Sequence, residues 1–495
     1  MHTSDAYSEL MAHMRDVVAL SQVSGLLGWD QETTMASGSA LQRSEWMRAM
    51  GSAIHAKRTD PRIGDWLAAI TLSGLDATGQ GNLRIITREY ERQSRVPADL
   101  AAEIARVTSA SQGAWAKARE AGDFAGFQDT LSEVLQLRRQ EAEALADGGD
   151  LYDALLGEYE PGMTAVELDV LLGNLRKGLV DLRLRVGEST VEIPDLKGNF
   201  SSDQQMLIAR ELAGAFGYDW SRGRLDLAVH PFSSGSFDDV RITTRVAEND
   251  PFNCFYSTIH EVGHAVYEQN IDRKHGLTPV GSGASMGVHE SQSRIFENQI
   301  GRSRAFTGHL YKRMNAVFGD IGIESAESFY HVVNKLRRGF IRTEADEVQY
   351  NLHVLLRYDL ERALIAGDLE VSDLEAAWNE RFAADFGFAV DGAANGVLQD
   401  VHWPVGLMGY FPTYSLGNIY AGELYVGLQR DLPDIEDDLA RGDASKAVAW
   451  LGEKIHRHGG TYQPSHLIER AIGHAPTEAP LLAYLNQKFG GIYQI

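Results

Sequence analysis

The stretch Thr258-Ile-His260-Glu261-Val-Gly-His264-Ala-Val-Tyr267 contains the pattern H-E-x-x-H, and its apolar surroundings are typical of a buried helix. Side chains four residues apart lie on one helix face about one turn apart, so His260 and His264 can share one metal ion. Glu261 follows the first histidine and can hydrogen-bond a water held by that ion. The pattern therefore predicts a metal site on a helix, with Glu261 as its general base.

The ligand type favours zinc as the metal. Neutral imidazole suits zinc among several divalent ions, and three protein ligands plus water leave the open position that catalysis requires. Zinc lowers the pKa of such a water, so Glu261 can take its proton and the hydroxide can attack a carbonyl. We expect one zinc ion per chain, with cobalt or manganese as substitutes, and hydrolysis of an amide. The alternative is a chance match among the 16 histidines.

A third ligand must come from another element, because side chains further along the same helix move away from the ion. Glu268 continues the series of His260 and His264 but lies one turn too far. The loop-like segment Gly276–Gly287 lets the chain return to a second helix. The candidates on that helix are His289, Glu290 and Glu297. Of these, Glu297 is better suited to orienting a ligand imidazole than to binding the metal.

The rest of the chain has mainly helical periodicity. One apolar face comprises Leu352, Leu355, Leu356, Leu360, Ala363 and Leu364. Gly367 follows this face as a helix stop. In contrast, Asp239–Val246 alternates apolar and polar residues, which predicts a strand. Leu225–Phe232 is its candidate antiparallel partner, with Ser233–Ser236 as the connecting turn. We expect a mainly α fold with a small antiparallel sheet just before the metal motif.

Composition limits the partners and the compartment. The chain has 495 residues and is 44% hydrophobic, which excludes general disorder. Its formal net charge of −23 argues against nucleic acid and anionic membranes as partners. Cys254 is the only cysteine, so no intrachain disulfide can form, which fits a reducing compartment. Neither a secretory signal nor an apolar run long enough to span a membrane is evident. A cytoplasmic location is expected.

No repeat, low-complexity tract or long linker divides the chain. We therefore expect residues 1–495 to form a single domain, either undivided or as two helical lobes that flank a deep cleft.

Further motifs lie on both sides of the metal residues. In chain order they are Leu27-Gly-Trp-Asp-Gln-Glu-Thr-Thr34, Tyr152-Asp-Ala-Leu-Leu-Gly-Glu-Tyr-Glu-Pro-Gly162, His230-Pro-Phe232, Asp239-Val-Arg-Ile-Thr243, Ile341-Arg-Thr-Glu-Ala-Asp346, Gly396-Val-Leu-Gln-Asp-Val-His-Trp403 and Gly409-Tyr-Phe-Pro-Thr-Tyr414. Together with H-E-x-x-H and the H-E-S-Q motif His289–Gln292, they resemble the motifs of the carboxypeptidase Taq family of zinc metallocarboxypeptidases. The motifs follow one another in the same order as in that family, and the resemblance covers essentially the whole chain.

The resemblance implies a fold, an activity and a ligand. The implied fold is large, helical and groove-bearing, and commonly forms a homodimer. The implied activity removes single residues, with broad specificity, from peptides that have a free C-terminus. The resemblance also favours Glu290 over its neighbours as the third metal ligand.

A carboxypeptidase must hold the terminal carboxylate of its substrate, which favours an arginine that makes paired hydrogen bonds. By resemblance, Arg342 is the first candidate. Arg241 is the second, as a group that limits substrate length or contacts the substrate backbone. For each arginine, a structural ion pair is the alternative.

The resemblance also suggests donors for the oxyanion of the tetrahedral intermediate, Tyr410 or His402, with Tyr414 as an alternative. Gln399 is a candidate substrate contact or an orienting residue. His230 is a candidate contact at the sheet edge, with a structural role as the alternative. Asp400 is expected to orient its neighbours and Trp403 to form a wall.

Two other functions compete with this interpretation. An oligopeptidase or dipeptidyl carboxypeptidase would use the same metal chemistry. A metal-binding or peptide-binding protein without catalysis is disfavoured by Glu261, because a structural zinc site needs ligands but no adjacent base.

Overall fold

A computed structural model describes residues 3–495 and shows a mostly helical chain with one small sheet, which confirms the predicted fold class. The helices are α1 (Thr3–Thr33), α2 (Ala40–Arg58), α3 (Arg62–Ala69), α4 (Ala77–Arg95), α5 (Ala98–Ala121), α6 (Gln128–Ala146), α7 (Leu151–Tyr159), α8 (Ala165–Glu188), α9 (Ser202–Ala215), α10 (Pro251–Gln269), α11 (Met286–Arg294), α12 (Arg304–Phe318), α13 (Ala326–Val333), α14 (Glu347–Ala366), α15 (Leu374–Phe386), α16 (Pro412–Asp431), α17 (Ile435–Leu439), α18 (Ser445–Lys454), α19 (Pro464–Ile472) and α20 (Ala479–Tyr493). The strands are β1 (Leu225–Leu227), β2 (Ser233–Ser236) and β3 (Asp239–Thr244). Across residues 3–495, no helix combines the length and apolar character needed to cross a bilayer.

The chain folds into two compact units. Unit 1 comprises residues 3–94, Ile193–Asn334 and Glu423–Ala475, and unit 2 comprises Arg95–Glu192, Lys335–Gly422 and Pro476–Ile495. Unit 1 therefore holds the sheet, α10 and α11, whereas α14 and α15 belong to unit 2. That these units are the lobes of a single domain around a cleft stays a prediction.

The sheet of unit 1 is mixed, with β3 between β1 and β2. Ser233 of β2 lies opposite Ile242 in an antiparallel pair, whereas Leu225 of β1 lies opposite the same residue in a parallel pair. Thr244, at the end of β3, donates a hydrogen bond from Oγ1 to the carbonyl of Cys254, 3.1 Å away. This bond ties the sheet to α10.

The sheet differs from the prediction in two details. Leu225–Leu227 does pair with β3, but in parallel, and Ser233–Ser236 is a strand rather than the connecting turn. The chain reverses immediately after Ser236, at Phe237, whose φ is 58°. Serine and glycine are typical of turns, but strand formation depends strongly on context, and here main-chain pairing with β3 outweighs it.

The helix that carries H-E-x-x-H starts at a well-defined cap. The Asp250 carboxylate accepts the Phe252 N–H at 3.1 Å, and Pro251 occupies the first turn, where its missing N–H costs nothing. The helix is buried on more than one face, which is typical of a helix inside a core. Its fully buried apolar residues include Cys254, Phe255, Ile259, Val262, Ala265 and Val266.

Gly263 sets how closely α10 and α11 pack. A Cβ atom at this position would lie 2.5 Å from the Gln292 carbonyl oxygen and from the Ser293 Cα. These are main-chain atoms and cannot rotate away. The glycine inside H-E-x-x-H therefore allows the backbones of the two helices to come into direct contact.

The start of α11 is fixed by hydrogen bonds to its own cap and to α10. Ser285 Oγ accepts the Val288 N–H at 3.0 Å, and the Tyr267 hydroxyl of α10 accepts the Ala284 N–H at 3.0 Å. After Arg294 the chain continues as a π-helix, Ile295–Gly301. Such π-helical turns are rare and frequently occur at functional sites.

In unit 2, α14 ends as its residues predict. The Asp346 carboxylate caps the start by accepting the N–H groups of Val348 and Gln349, at 3.0 and 2.9 Å. The helix ends at Gly367, whose φ of 85° is in the left-handed region, which confirms the predicted stop. Leu352, Leu355, Leu356, Leu360 and Leu364 of the predicted apolar face are buried.

Candidate metal centre

Three side chains of unit 1 bring ligand atoms together, His260 and His264 from α10 and Glu290 from α11. One atom from each lies within 4.8 Å of the others. The Nε2 atoms of His260 and His264 are 3.7 and 3.5 Å from Glu290 Oε2. The structure therefore brings together the two histidines and the one glutamate favoured by the sequence.

The donor set fits one divalent ion. Two atoms held about 2.1 Å from one ion in a tetrahedral arrangement are about 3.4 Å apart, close to the 3.5 and 3.7 Å separations seen here. Both separations are long for a hydrogen bond. Two imidazole nitrogens and one carboxylate oxygen are also ligands that zinc accepts.

His260 is held by a carboxylate on its far side. Its Nδ1 lies 2.9 Å from Glu297 Oε2, in the π-helix, so Nδ1–H donates to that carboxylate and Nε2 is the nitrogen that faces Glu290. Although burial disfavours the charged form, Glu290 and Glu297 raise the pKa of His260 above its ordinary value. A metal at this nitrogen therefore competes with a proton.

Glu297 is in turn balanced by two arginines. Arg294 Nη1 and Arg302 Nη2 each donate to a different oxygen of its carboxylate at 3.3 Å. Burial alone would raise the pKa of Glu297, but the charge of Arg294 and the bond from His260 lower it to about 2. Glu297 is thus an anion in contact with His260, and its orienting role stays a prediction.

His264 is backed by another histidine. Its Nδ1 lies 2.7 Å from His289 Nδ1, and His289 Nε2 lies 3.0 Å from Glu268 Oε1. Both nitrogens of His289 are therefore engaged away from Glu290, so neither His289 nor Glu268 joins the ligand cluster. Burial lowers the pKa of His264 to about 3, which keeps its imidazole in the neutral form that binds metals.

Glu290 is fixed by its own helix. Arg294 Nε donates to its Oε1 at 2.7 Å, and Ser293 Oγ donates to its Oε2 at 3.1 Å. Burial raises the pKa of Glu290, but the charges of Arg294 and His260 outweigh this effect and hold the pKa well below its usual range. The residue is an anion with one oxygen turned toward the histidines, as a ligand must be.

Glu261 is buried next to these ligands and is only 7% exposed. Burial raises the pKa of its carboxyl to about 7; the charge of His260 lowers it and that of Glu290 raises it. A carboxylate with a pKa near neutrality is well matched to accepting and returning a proton at physiological pH.

The two other predicted residues of unit 1 lie on or beside the sheet. Arg241 makes a paired contact with Asp239, from Nε and Nη2 at 2.7 and 2.9 Å, and its guanidinium lies 4.3 Å from the ring centre of Trp29. His230 is exposed, just before β2. Both the substrate contact and the structural role proposed for this histidine stay predictions.

The remaining predicted residues belong to unit 2, where Arg342 is 6% exposed and paired. Its Nε and Nη2 donate to Asp400 Oδ1 at 3.2 and 2.9 Å, and Nη1 donates to the Tyr350 hydroxyl at 3.3 Å. Arg357 donates to the other oxygen of Asp400 at 2.7 Å. One carboxylate is therefore shared by two guanidinium groups, which hold the pKa of Asp400 far below its ordinary value despite burial.

Gln399, His402 and Tyr410 surround the same cluster in different ways. The Gln399 side chain bonds main-chain groups, including the Arg342 N–H at 3.0 Å, which favours an orienting role. His402 Nε2 lies 3.2 Å from the Tyr414 hydroxyl, and burial lowers the pKa of His402 to about 3. The Tyr410 ring packs edge to face on Tyr414, with centres 5.3 Å apart. Their roles toward an oxyanion stay predictions.

Two features of the metal centre were missed from the sequence. Arg294 links Glu290 and Glu297, and its spacing of four residues from Glu290 is a recognisable helical ion-pair signal. The contact between His289 and Glu268 carried no such signal, because it depends on how α10 and α11 pack against each other.

Comparisons with known proteins agree with this geometry. The family model described as "Carboxypeptidase Taq (M32) metallopeptidase" matches residues 9–489. A protein of Thermus thermophilus named thermostable carboxypeptidase 1 is 41% identical, over 99% of this chain and 99% of that protein.

Two solved structures share the fold. An M32 carboxypeptidase from Deinococcus radiodurans superposes with a TM-score of 0.95 at 37% identity, covering 99% of this chain and 100% of that one. Metallocarboxypeptidase 1 of Trypanosoma cruzi superposes with a TM-score of 0.96 at 34% identity, covering 98% and 99%.

Proposed function

This chain belongs to the carboxypeptidase Taq (M32) family of metallopeptidases and is a metallocarboxypeptidase, and from that premise we propose that it is a zinc enzyme that removes single residues from the free C-terminus of peptides. Cobalt or manganese is proposed to substitute for zinc. One ion per chain is proposed, held by His260, His264 and Glu290.

The observation that carries the proposal is the convergence of two imidazole nitrogens and one carboxylate oxygen beside a buried glutamate. His260 and His264 each keep Nε2 toward Glu290 because their Nδ1 atoms are engaged elsewhere. When bound, a divalent ion there would supply Lewis-acid polarisation of the peptide carbonyl and of the attacking water.

The proton transfers are assigned to Glu261. Its raised pKa leaves it partly ionised near neutrality, so it can accept a proton as water adds to the carbonyl carbon. It then returns that proton to the nitrogen as the C–N bond breaks. The products are a shortened peptide and a free amino acid, and Glu261 is restored to its ionised form.

The terminal carboxylate of the substrate is assigned to Arg342, with Arg241 as the second candidate. Arg342 and Arg357 share the single carboxylate of Asp400. The terminal carboxylate of the substrate would supply a second anion, so that two cations are paired with two anions. Arg241 already has a paired contact with Asp239 alone. This difference in pairing supports the order of the two candidates.

The test uses two peptides of identical sequence, both blocked at the N-terminus, one with a free C-terminal carboxylate and one amidated. With the zinc-loaded protein we expect stepwise release of single amino acids from the free peptide and no cleavage of the amidated one. Efficient internal cleavage of the amidated peptide, or release of dipeptides, would instead identify an oligopeptidase or a dipeptidyl carboxypeptidase.

We also propose a homodimer in the cytoplasm. The family resemblance supports the dimer, and the single cysteine, Cys254, is compatible with a reducing compartment. Sedimentation analysis of the purified protein tests the dimer, and a single species with the mass of one chain would contradict it.

A further inference from the structure

His264 and His260 differ in the residue that contacts the Nδ1 atom of each ring. His260 contacts the Glu297 carboxylate directly at 2.9 Å, but His264 reaches a carboxylate only through His289, which lies between it and Glu268. We propose that His289 and Glu268 form an indirect support, a relay of two hydrogen bonds that holds His264 in its metal-binding tautomer. This inference rests on the proposed metal site.

The proton positions along the relay follow from its geometry. For His264 to offer the Nε2 lone pair to a metal, its Nδ1 must carry the proton and donate it to His289 Nδ1, 2.7 Å away. His289 Nδ1 must then be an acceptor, so a neutral His289 carries its proton on Nε2. That nitrogen donates to Glu268 Oε1 at 3.0 Å. The Glu268 carboxylate can only accept a hydrogen bond, so it fixes the proton of His289 on Nε2. His289 in turn fixes the proton of His264 on Nδ1.

Glu268 is well placed to fix this direction. It is 6% exposed, and within residues 3–495 no lysine or arginine pairs with it, in contrast to Glu297 with its two arginines. Its Oε1 also accepts the Gly283 N–H at 3.0 Å, while its buried Oε2 has no hydrogen-bond partner in that same range. The imidazole of His289 is therefore the one side chain that hydrogen-bonds this carboxylate within residues 3–495.

The surroundings hold His289 in place. Its ring packs against Tyr267, with centres 5.1 Å apart, and a Cβ atom at Gly283 would come within 2.6 Å of His289 Cδ2 and 3.4 Å of Glu268 Oε1. The loop between α10 and α11 therefore closes over the relay with no room for a side chain. His289 and Glu268 are positioning residues, because they act on the metal only through His264.

The test measures the zinc dissociation constant by competition with a chromophoric chelator. Removing a residue that hydrogen-bonds a metal-binding histidine typically weakens metal affinity by about 10–100-fold. We expect His289→Leu to weaken zinc binding by that factor. His289→Gln offers an amide oxygen to His264 and an amide N–H to Glu268, so we expect it to retain affinity within about threefold of the wild type.

A double-mutant cycle separates a relay from two unrelated packing effects. Because His289 and Glu268 act in series, the double variant His289→Leu/Glu268→Leu should bind zinc no more weakly than the weaker single variant. The matched control is His456→Leu. His456 also packs on Tyr267 and bonds Gln292 of α11, at 2.9 Å, but it has no place in the relay.

The outcomes are distinct. Loss of affinity in His289→Leu, rescue in His289→Gln and unchanged affinity in His456→Leu support the relay. If His289→Leu binds zinc as the wild type does, or if His456→Leu weakens binding equally, the relay is wrong. His264→Leu separates the two proposals: if it too keeps full affinity, the metal site itself is misassigned, whereas its loss with an unaffected His289→Leu removes only the relay.

Discussion

The proposed chemistry depends on Glu261. This buried carboxylate directly follows His260 in the chain and is not one of the three residues of the ligand cluster. Glu261→Gln keeps the shape of the side chain and removes the proton acceptor. General-base catalysis typically contributes about 10²–10⁴-fold, so we expect kcat to fall by that factor while zinc content stays at one ion per chain. Steady-state kinetics and metal analysis check this, and unchanged activity would refute the role of Glu261.

The assignment of Arg342 over Arg241 is also a question about single residues. Arg342→Lys keeps the charge but loses the planar fork that pairs two carboxylates. We expect KM for peptides to rise by about 10-fold or more, as for the loss of a charge-assisted hydrogen bond, with a smaller change in kcat. Arg241→Gln serves as the comparison, and a larger rise in KM for Arg241→Gln would reverse the assignment.

The sequence predicted single residues well where their chemistry is local. His260, Glu261 and His264 follow from spacing on one helix, and Glu297 could be recognised as an orienting group from its type and position. The pairing of Arg342 with Asp400 could not be predicted in detail, because which acid meets which arginine depends on how distant segments pack. The contact between His289 and Glu268 could not be predicted either, because it depends on how the consecutive helices α10 and α11 pack against each other.

Among the elements, α10 and α11 form the metal centre only because they approach closely at Gly263. A methyl group there would meet main-chain atoms of α11 at 2.5 Å. We expect Gly263→Ala to separate the helices, to lower the free energy of unfolding by about 1–3 kcal/mol through overpacking, and to weaken zinc binding by displacing Glu290. Denaturant unfolding and chelator competition measure the two effects.

Gly308 in α12 is the control for that prediction. A Cβ atom at Gly308 meets nothing within 4 Å, so Gly308→Ala should raise the free energy of unfolding by about 0.5–1 kcal/mol, the ordinary gain from replacing a helical glycine. Equal effects of the two substitutions would show that close helix packing is not what Gly263 provides.

Elements could be predicted to the extent that their signals are local. The stop at Gly367 acts within one turn, and the apolar face of α14 has a clear period. β2 was mistaken for a turn because Ser233–Ser236 has the composition of one, and only pairing with β3 makes it a strand. The parallel pairing of β1 likewise depends on a connection that composition does not reveal.

At the scale of the whole molecule, stability should depend on pH through Glu361 of unit 2. This carboxylate is fully buried and accepts bonds from Trp403 Nε1 and the Tyr152 hydroxyl, both at 2.8 Å. Burial raises the pKa of Glu361 from its ordinary value of 4.5 to about 7, although these bonds lower it. The folded state therefore holds this proton more tightly than the unfolded chain, and folding stability falls as pH rises from 4.5 through 7.

Glu361→Gln removes the titration. Between about pH 4 and about pH 8, the wild type should lose on the order of 3 kcal/mol of unfolding free energy relative to the variant. Hydrogen bonds lost in the variant lower its free energy of unfolding equally at every pH. Only the change with pH in the difference between the two free energies of unfolding is therefore diagnostic. Urea unfolding of both proteins across this range measures it, and a constant difference would exclude the raised pKa.

The central claim is that His260, His264 and Glu290 together hold a catalytic zinc ion. The most direct measurement is an anomalous-difference map at the zinc absorption edge, from crystals of the zinc-loaded protein. We expect one strong peak per chain, about 2.0–2.2 Å from Nε2 of both histidines and from a Glu290 oxygen. A peak at other residues, or no peak at these three in a zinc-dependent active enzyme, would contradict the claim.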